Sequence, residues 1–209
     1  MTPIYVVNLL SSSVRRKAMI EQLIKLNLRF QLFDAIAGKD INNEIKANLY
    51  SSQNSLRLHN RELTNNEIGC AMSHLGVYYR MIESNQECAI VLEDDVYIGE
   101  AFRMFVERMP LILEKDWEMI NLISEQGSTP FGDPIFDIYR LSNFWGAANG
   151  CVAYAIKLSG AKKLCDYAMP IRFAADGLTG RFHETGLKLL GLVPHIVALR
   201  DVASDIGAR

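Results

Sequence analysis

AIVLEDDVYIGEAF, residues 89–102, is the stretch from which the fold can be read. Ala89–Leu92 is an unbroken apolar run, long enough for a strand buried on both faces of a parallel sheet. It stops at Glu93-Asp94-Asp95, and the next residues read as the start of a helix over about 99–109, ended by Pro110. Three adjacent carboxylates repel one another and lose hydration unless a positive group sits among them. In open α/β sheets ligands bind beyond the carboxyl ends of the strands. A divalent cation carrying a diphosphate therefore suits this position: Mn²⁺ or Mg²⁺ takes carboxylate oxygens and bridges to phosphates with only one or two protein ligands. Asp95, furthest past the strand, is the candidate metal ligand, with Glu93 and Asp94 placed to hold a ribose or metal-bound waters. The plainer reading is a solvated acidic turn that caps the next helix.

Outward from this strand, β and α patterns alternate. Ile4–Asn8 reads as a strand, and Ser11-Ser12-Ser13 offers caps for a helix over about 13–27 with Met19, Leu23 and Leu26 on one stripe. Phe30–Ala35 reads as a second strand, closed by Gly38. Residues 42–62 are polar and weakly patterned, a loop or short helices. Thr64-Asn65-Asn66-Glu67 is a capping box that opens a helix to about Ser84. Further strands are expected at 118–123, 137–141, 151–156 and 193–199, a loop at 124–136, and helices at 159–168 and 178–190. No repeat, low-complexity tract or linker interrupts the pattern, so the expectation is one α/β domain over 1–209 with a mostly parallel central sheet flanked by helices.

Bulk properties permit an enzyme without requiring one. The 209 residues are 49% hydrophobic and 22% charged, and the formal net charge of −2 gives no reason to expect a nucleic-acid partner. Cys70, Cys88, Cys151 and Cys165 have no CxxC spacing and read as reduced, buried thiols. The apolar run near the N-terminus is too short for a signal peptide, and no segment reaches the roughly 18–20 apolar residues of a transmembrane helix. A cytoplasmic protein that visits a membrane surface at most is the expectation.

Three other constellations accompany the acidic triplet. Asn8, the serines and Arg15-Arg16 follow the first strand, where a helix N-terminus and two guanidinium groups can meet a nucleotide or its phosphates. Basic residues so early in a helix oppose its dipole, which asks for another reason for them; a solvated pair on an exposed face is the alternative. In the capped helix Gly69, Ser73 and Gly76 form a smooth stripe that admits another backbone or a flat ligand. His74 shares a face with Glu67 and is either a hydrogen-bonded structural histidine or part of a site. Asp176, in AADGLTG, is a turn or cap residue or the place to present a general base. There is no HExxH, P-loop or G-x-S-x-G pattern, which disfavours zincins, P-loop enzymes and common serine hydrolases.

Taken together, IYVVNL…RR, FDAIAGKDI at 33–41, LTNNEIGCAMSH at 63–74, IVLEDDV at 90–96, GAKKL at 160–164, Asp176 and the closing SDIGAR make the chain resemble the family 25 glycosyltransferases. That group contains bacterial lipooligosaccharide galactosyl- and glucosyltransferases and collagen galactosyltransferases. The resemblance implies a GT-A-like α/β fold, a UDP-sugar donor, a divalent cation (Mn²⁺ before Mg²⁺), a lipooligosaccharide or other glycan acceptor, and inversion at the anomeric carbon. It implies donor contacts from Asn8, Arg15, Arg16, His74, Glu93 and Asp94, metal binding by Asp95, and Asp176 as catalytic base with Glu184 behind it. The donor part is expected at roughly 1–125 and the acceptor and catalytic part at roughly 126–209. Two departures stand out: Ala153-Tyr154 replaces the Gly-Tyr pair frequent before the GAKKL-like helix, and the sequence ends at Arg209 with no basic tail, so either acceptor contacts or membrane attachment differ or the sequence is shortened there.

Two non-enzyme readings remain: an inactive sugar-nucleotide-binding relative, and a receiver-like signalling module built on VLEDD. The receiver needs a further Asp after a third strand and a late Lys. Asp137 sits in a poor setting for phosphorylation, Lys157 is followed by Leu158, and residues 1–85 would go unexplained.

Overall fold

The computed structural model describes residues 2–123, 131–144 and 150–200. In chain order these contain β1 (Ile4–Asn8), α1 (Ser13–Lys25), β2 (Gln31–Asp34), a 3-10 turn (Gly38–Asp40), α2 (Asn43–Leu49), α3 (Ser52–His59) and α4 (Asn65–Glu83). They continue with β3 (Cys88–Glu93), β4 (Val96–Ile98), α5 (Glu100–Ile112), β5 (Met119–Asn121), β6 (Asp133–Phe136) and β7 (Tyr139–Asn143). The last are β8 (Ala153–Lys157), α6 (Leu158–Ala168), α7 (Ala175–Thr179), α8 (Phe182–Thr185), β9 (Leu189–Val193) and β10 (Val197–Leu199).

An eight-stranded sheet in the order β2-β1-β3-β8-β5-β9-β7-β6 forms the middle layer. β1, β2, β3, β5, β6 and β9 share one direction, and β7 and β8 run against them. The expected mostly parallel α/β sheet is therefore present. Its order is unlike the 2-1-3-4-5 sheet of receiver domains, which removes the signalling reading.

Strand alternation divides the apolar residues between two cores. Tyr5, Val7, Ala89 and Val91 face α4 and α6, joining Ile68, Leu75, Tyr78 and Leu164. Ile4, Val6, Ile90 and Leu92 face α1 and α5, against Met19, Leu23, Phe102 and Phe105. β1 and β3 are apolar at successive positions because helices cover both sides, the pattern of a buried parallel strand.

Five expectations need correction, the first being the strand at 193–199: β9 ends at Val193 and only Val197–Leu199 is extended beyond it, as β10. The helix after the acidic triplet starts where expected, at Glu100, but an unexpected strand, β4, precedes it and pairs antiparallel with β10. α5 then runs through Pro110 to Ile112, since a proline in the last turn removes only one intrahelical hydrogen bond. The strand expected at 137–141 is a hairpin of β6 and β7, turned at Asp137 with φ 42°. The helix expected at 178–190 does not form. α7 and α8 are one-turn pieces, Gly186 at φ 64° ends the second, and Leu189–Val193 is drawn into the sheet between β5 and β7. Residues 42–62 take the short-helix alternative, as α2 and α3.

Candidate functional site

β1 and β3 are parallel neighbours with Val7 opposite Glu93, so both strands end at the same edge. Alternation sends Asn8 to the α1 side of the sheet and Glu93 to the α4 side. On the α1 side, Asn8 is buried and its amide donates a short hydrogen bond to the carboxylate of Asp94, also buried, and another to the Ser12 carbonyl at 3.4 Å. Arg15 Nε lies 3.2 Å from Asp94 Oδ1. Arg16 Nη1 donates to Asp34 Oδ1 at 3.0 Å and to Asn8 Oδ1 at 3.4 Å. These contacts explain two arginines in the first turn of a helix, where the dipole is against them: they answer acidic groups delivered by β2 and β3. The serines contribute less than expected, because Ser12 sits at the N-cap without a side-chain capping bond.

Asp94 and Asp95 occupy the turn between β3 and β4. Burial raises the Asp94 carboxyl, while Asn8 and Arg15 oppose the rise. For Asp95, burial and the neighbouring charges of Glu93 and Asp94 push the pKa up to about 6. Its Oδ1 is buried without a hydrogen-bond partner. A buried, crowded carboxylate oxygen with no donor is the setting an oxygen-preferring divalent cation relieves, so the residues fit the cation the resemblance implies.

The α4 side holds a different chemistry. His74 is 1% exposed; its Nε2 lies 3.2 Å from Glu93 Oε1 and its Nδ1 lies 2.7 Å from the Tyr154 hydroxyl, which in turn meets the Tyr78 hydroxyl at 2.8 Å. The Cys151 thiol donates to Glu93 Oε1 at 3.3 Å. Cys70, one turn before His74 on α4, completes a group of four whose ligand atoms all lie within 4.8 Å of one another. The Cys151 thiol holds the Cys70 thiol below its usual range. Burial works against a charged His74, yet contacts with Cys70 and Glu93 outweigh it and raise the imidazole's pKa. Asp176, in α7, is near enough for its charge to bear on Cys151 and on Arg61, and its Oδ1 accepts from the Gly177 amide at 2.8 Å. Glu184 is held by Arg181 and by the Tyr167 hydroxyl on an exposed turn.

Thus Asn8, Arg15, Arg16 and Asp94 are joined directly, with Asp95 beside Asp94 in the turn; His74 and Glu93 are joined across the sheet from them, and Asp176 stands outside both groups, its charge reaching Cys151 at longer range. The closing SDIGAR motif lies outside the described residues. Sequence reasoning missed Cys70, Cys151 and Tyr154 as members of the site. Cys70 and His74 are spaced i, i+4 on one helix, a readable signal; the meeting with Cys151 depends on sheet order and was not readable. The Gly69–Ser73–Gly76 stripe proves to receive the 33–36 segment, backbone at Gly69 and Ser73 and the Phe33 ring at Gly76, rather than a ligand. Ser73 Oγ accepts from the Ile36 amide at 2.8 Å, and a Cβ on Gly69 would lie 2.5 Å from the Ile36 carbonyl oxygen.

The site is thus a cluster of acidic, amide and guanidinium groups at the carboxyl edge of a mixed α/β sheet, the place where such sheets bind ligands. The sequence profile of glycosyltransferase family 25 (LPS biosynthesis protein) matches residues 1–179, and the chain belongs to that family. Its fold is α/β, with a mostly parallel central sheet flanked by helices. A "Putative glycosyltransferase" of Haemophilus influenzae is 27% identical over 92% of this chain and 68% of its own length. The Procollagen galactosyltransferase 1-B of Xenopus laevis is 29% identical over 77% of the chain. The Inactive glycosyltransferase 25 family member 3 of Mus musculus is 27% identical over 77% of the chain. The chain spans only 27% and 28% of the length of these two animal relatives.

Proposed function

We propose that this family 25 glycosyltransferase is an inverting hexosyltransferase that moves galactose or glucose from a UDP-sugar to a lipooligosaccharide or related glycan. One observation carries the reading: the Asn8–Asp94–Arg15 network at the carboxyl edge of β1 and β3, with the unpartnered buried oxygen of Asp95 beside it. In this reading Arg15 and Arg16 supply positive charge toward the diphosphate, and Asn8 and Asp94 fix the loop that receives it. Asp95 is the protein ligand for a divalent cation, Mn²⁺ before Mg²⁺, which when bound neutralises charge on the departing nucleoside diphosphate. His74 and Glu93 close the α4 side of the donor site. Asp176 accepts the proton of the acceptor hydroxyl as that oxygen forms the new glycosidic bond and the bond to the diphosphate breaks, which inverts the anomeric carbon. The chain acts as one domain, donor-binding over roughly 1–125 and acceptor-binding over 126–209. Among the described residues no helix is long and apolar enough to cross a membrane. The proposed workplace, following from a UDP-sugar donor, is the cytoplasm, with peripheral membrane contact where the acceptor is lipid-linked.

The test is UDP release across a donor panel with a glycan acceptor, with Mn²⁺ and with chelator. Asp95→Ala is expected to lose at least about 10²-fold in turnover, and Asp176→Asn about 10²–10⁴-fold. Full activity of Asp95→Ala, or of wild type in chelator, removes the metal role; near-normal turnover of Asp176→Asn removes the base. A second reading, donor binding without transfer, is favoured by the inactive mouse relative. UDP-sugar binding with no UDP release on any acceptor would select it.

A further inference from the structure

Cys70, His74, Glu93 and Cys151 come from three separate parts of the chain: the first turns of α4, the end of β3 and the approach to β8. Each contributes a donor of electron pairs, and all four sit within 4.8 Å of one another. Two of the separations, 3.2 Å from His74 to Glu93 and 3.3 Å from Cys151 to Glu93, are already close to the edges of a tetrahedral zinc site, about 3.3–3.8 Å given Zn–S near 2.3 Å and Zn–N or Zn–O near 2.0–2.2 Å. His74 is anchored from behind, since Tyr154 holds its Nδ1 and Tyr78 holds Tyr154, which leaves Nε2 turned into the group. An outer partner on the second ring nitrogen is the regular companion of a metal-binding histidine.

We propose that these four residues form a zinc site that clamps α4, β3 and the segment before β8 together at the edge of the sheet. The donor set is chemically distinct from that of Asp95. Two thiolates and an imidazole select zinc over manganese or magnesium, whereas the lone carboxylate oxygen of Asp95 has the opposite preference. With all four positions supplied by the protein, the site is closed and its role is to hold structure. Protons still carried by the two thiols and by the His74 Nε2 leave to solvent as zinc enters, so binding releases protons. The clamp needs no sugar transfer to form, and through His74 and Glu93 it fixes the α4 wall of the proposed donor site.

The test uses the full chain kept reduced. Wild type titrated with Co²⁺ is expected to develop a thiolate-to-cobalt charge-transfer band that saturates at about one cobalt per chain and is bleached by Zn²⁺. Zinc is also expected to slow alkylation of Cys70 at least tenfold while leaving the rate at Cys165 unchanged. Asp95→Ala retains both responses, and the double variant Cys70→Ser, Cys151→Ser loses zinc content at least tenfold. Absence of the band in wild type, or unchanged alkylation of Cys70 in zinc, overturns the proposal, and neither measurement depends on a variant folding. Cobalt binding that shows no charge-transfer band and is lost in Asp95→Ala would place the metal at the acidic turn and also overturn it.

Discussion

Glu67 does more for the helix it opens than the capping box alone would give it. Its carboxylate accepts from the Thr64 amide at 2.8 Å while the Thr64 hydroxyl accepts from the Glu67 amide at 3.2 Å. Arg61 then approaches the same carboxylate with both terminal nitrogens, at 2.9 and 2.6 Å. Arg61 foremost, with the cap behind it, lowers the pKa of Glu67 to about 2 against the cost of partial burial. Because the folded value lies below the unfolded one of about 4.5, the stabilisation is present above pH 4.5 and drains away as pH falls toward 2. Glu67→Gln is expected to cost about 1 kcal/mol at pH 7. Denaturant titrations of the two proteins should converge near pH 2, and a gap that persists there would mean the carboxylate's charge is not the source. The capping box was legible from Thr64-Asn65-Asn66-Glu67, whereas Arg61 was not, because nothing local ties its side chain to a helix that begins later. The same holds for Asp94. Its carboxylate was readable as an acidic strand end, but its partners Asn8 and Arg15 are fixed by the parallel pairing of β1 with β3.

α4 shows how a motif can record packing between two segments. FDAIAGKDI and LTNNEIGCAMSH, separate in the sequence, meet face to face: Gly69 lies under the Ile36 carbonyl, Gly76 under the Phe33 ring, and Gly38 against Asn66. Alanine at position 69 would gain about 1 kcal/mol of helix propensity and force a Cβ to 2.5 Å from a backbone oxygen, at a cost of about 1–3 kcal/mol for overpacking. The net expectation for Gly69→Ala is a loss of roughly 1–2 kcal/mol in thermal or chemical unfolding. Gly177→Ala in α7 is the contrast, since its Cβ would come no closer than 3.7 Å to Phe173 and no loss is expected. Elements with a clear period or cap, such as β1, α1, α4 and β3, were legible within a few residues. The segment after Asp176 was not. LKLLGLV offers apolar residues that satisfy a helix or a strand equally, and the vacancy between β5 and β7 decides for the strand.

The assembled molecule brings guanidinium, amide and carboxylate groups to one edge of a sheet without any large local motif. Ligand binding should therefore stabilise the whole fold rather than a loop. UDP together with Mn²⁺, at about a hundred times its dissociation constant, is expected to add about 2.7 kcal/mol, which for a chain of this size raises the melting temperature by roughly 5–10 °C. UDP with chelator, or Mn²⁺ with Asp95→Ala, should give a much smaller rise in a thermal shift experiment; equal rises in all three would separate nucleotide binding from the acidic turn. The sheet order bears on how this edge comes into being. β8 runs against β3 and inserts beside it with Ala153 opposite Leu92, so the stretch leading into β8 arrives where β3 leaves off. During synthesis β1, β2 and β3 emerge first, and their carboxyl edge waits for a strand made some sixty residues later. Until β8 docks, Val91 and Leu92 have an open flank and Glu93 lacks the Cys151 thiol. Loop closure across that interval makes the site one of the last features the chain acquires, and couples its formation to successful addition of the C-terminal half.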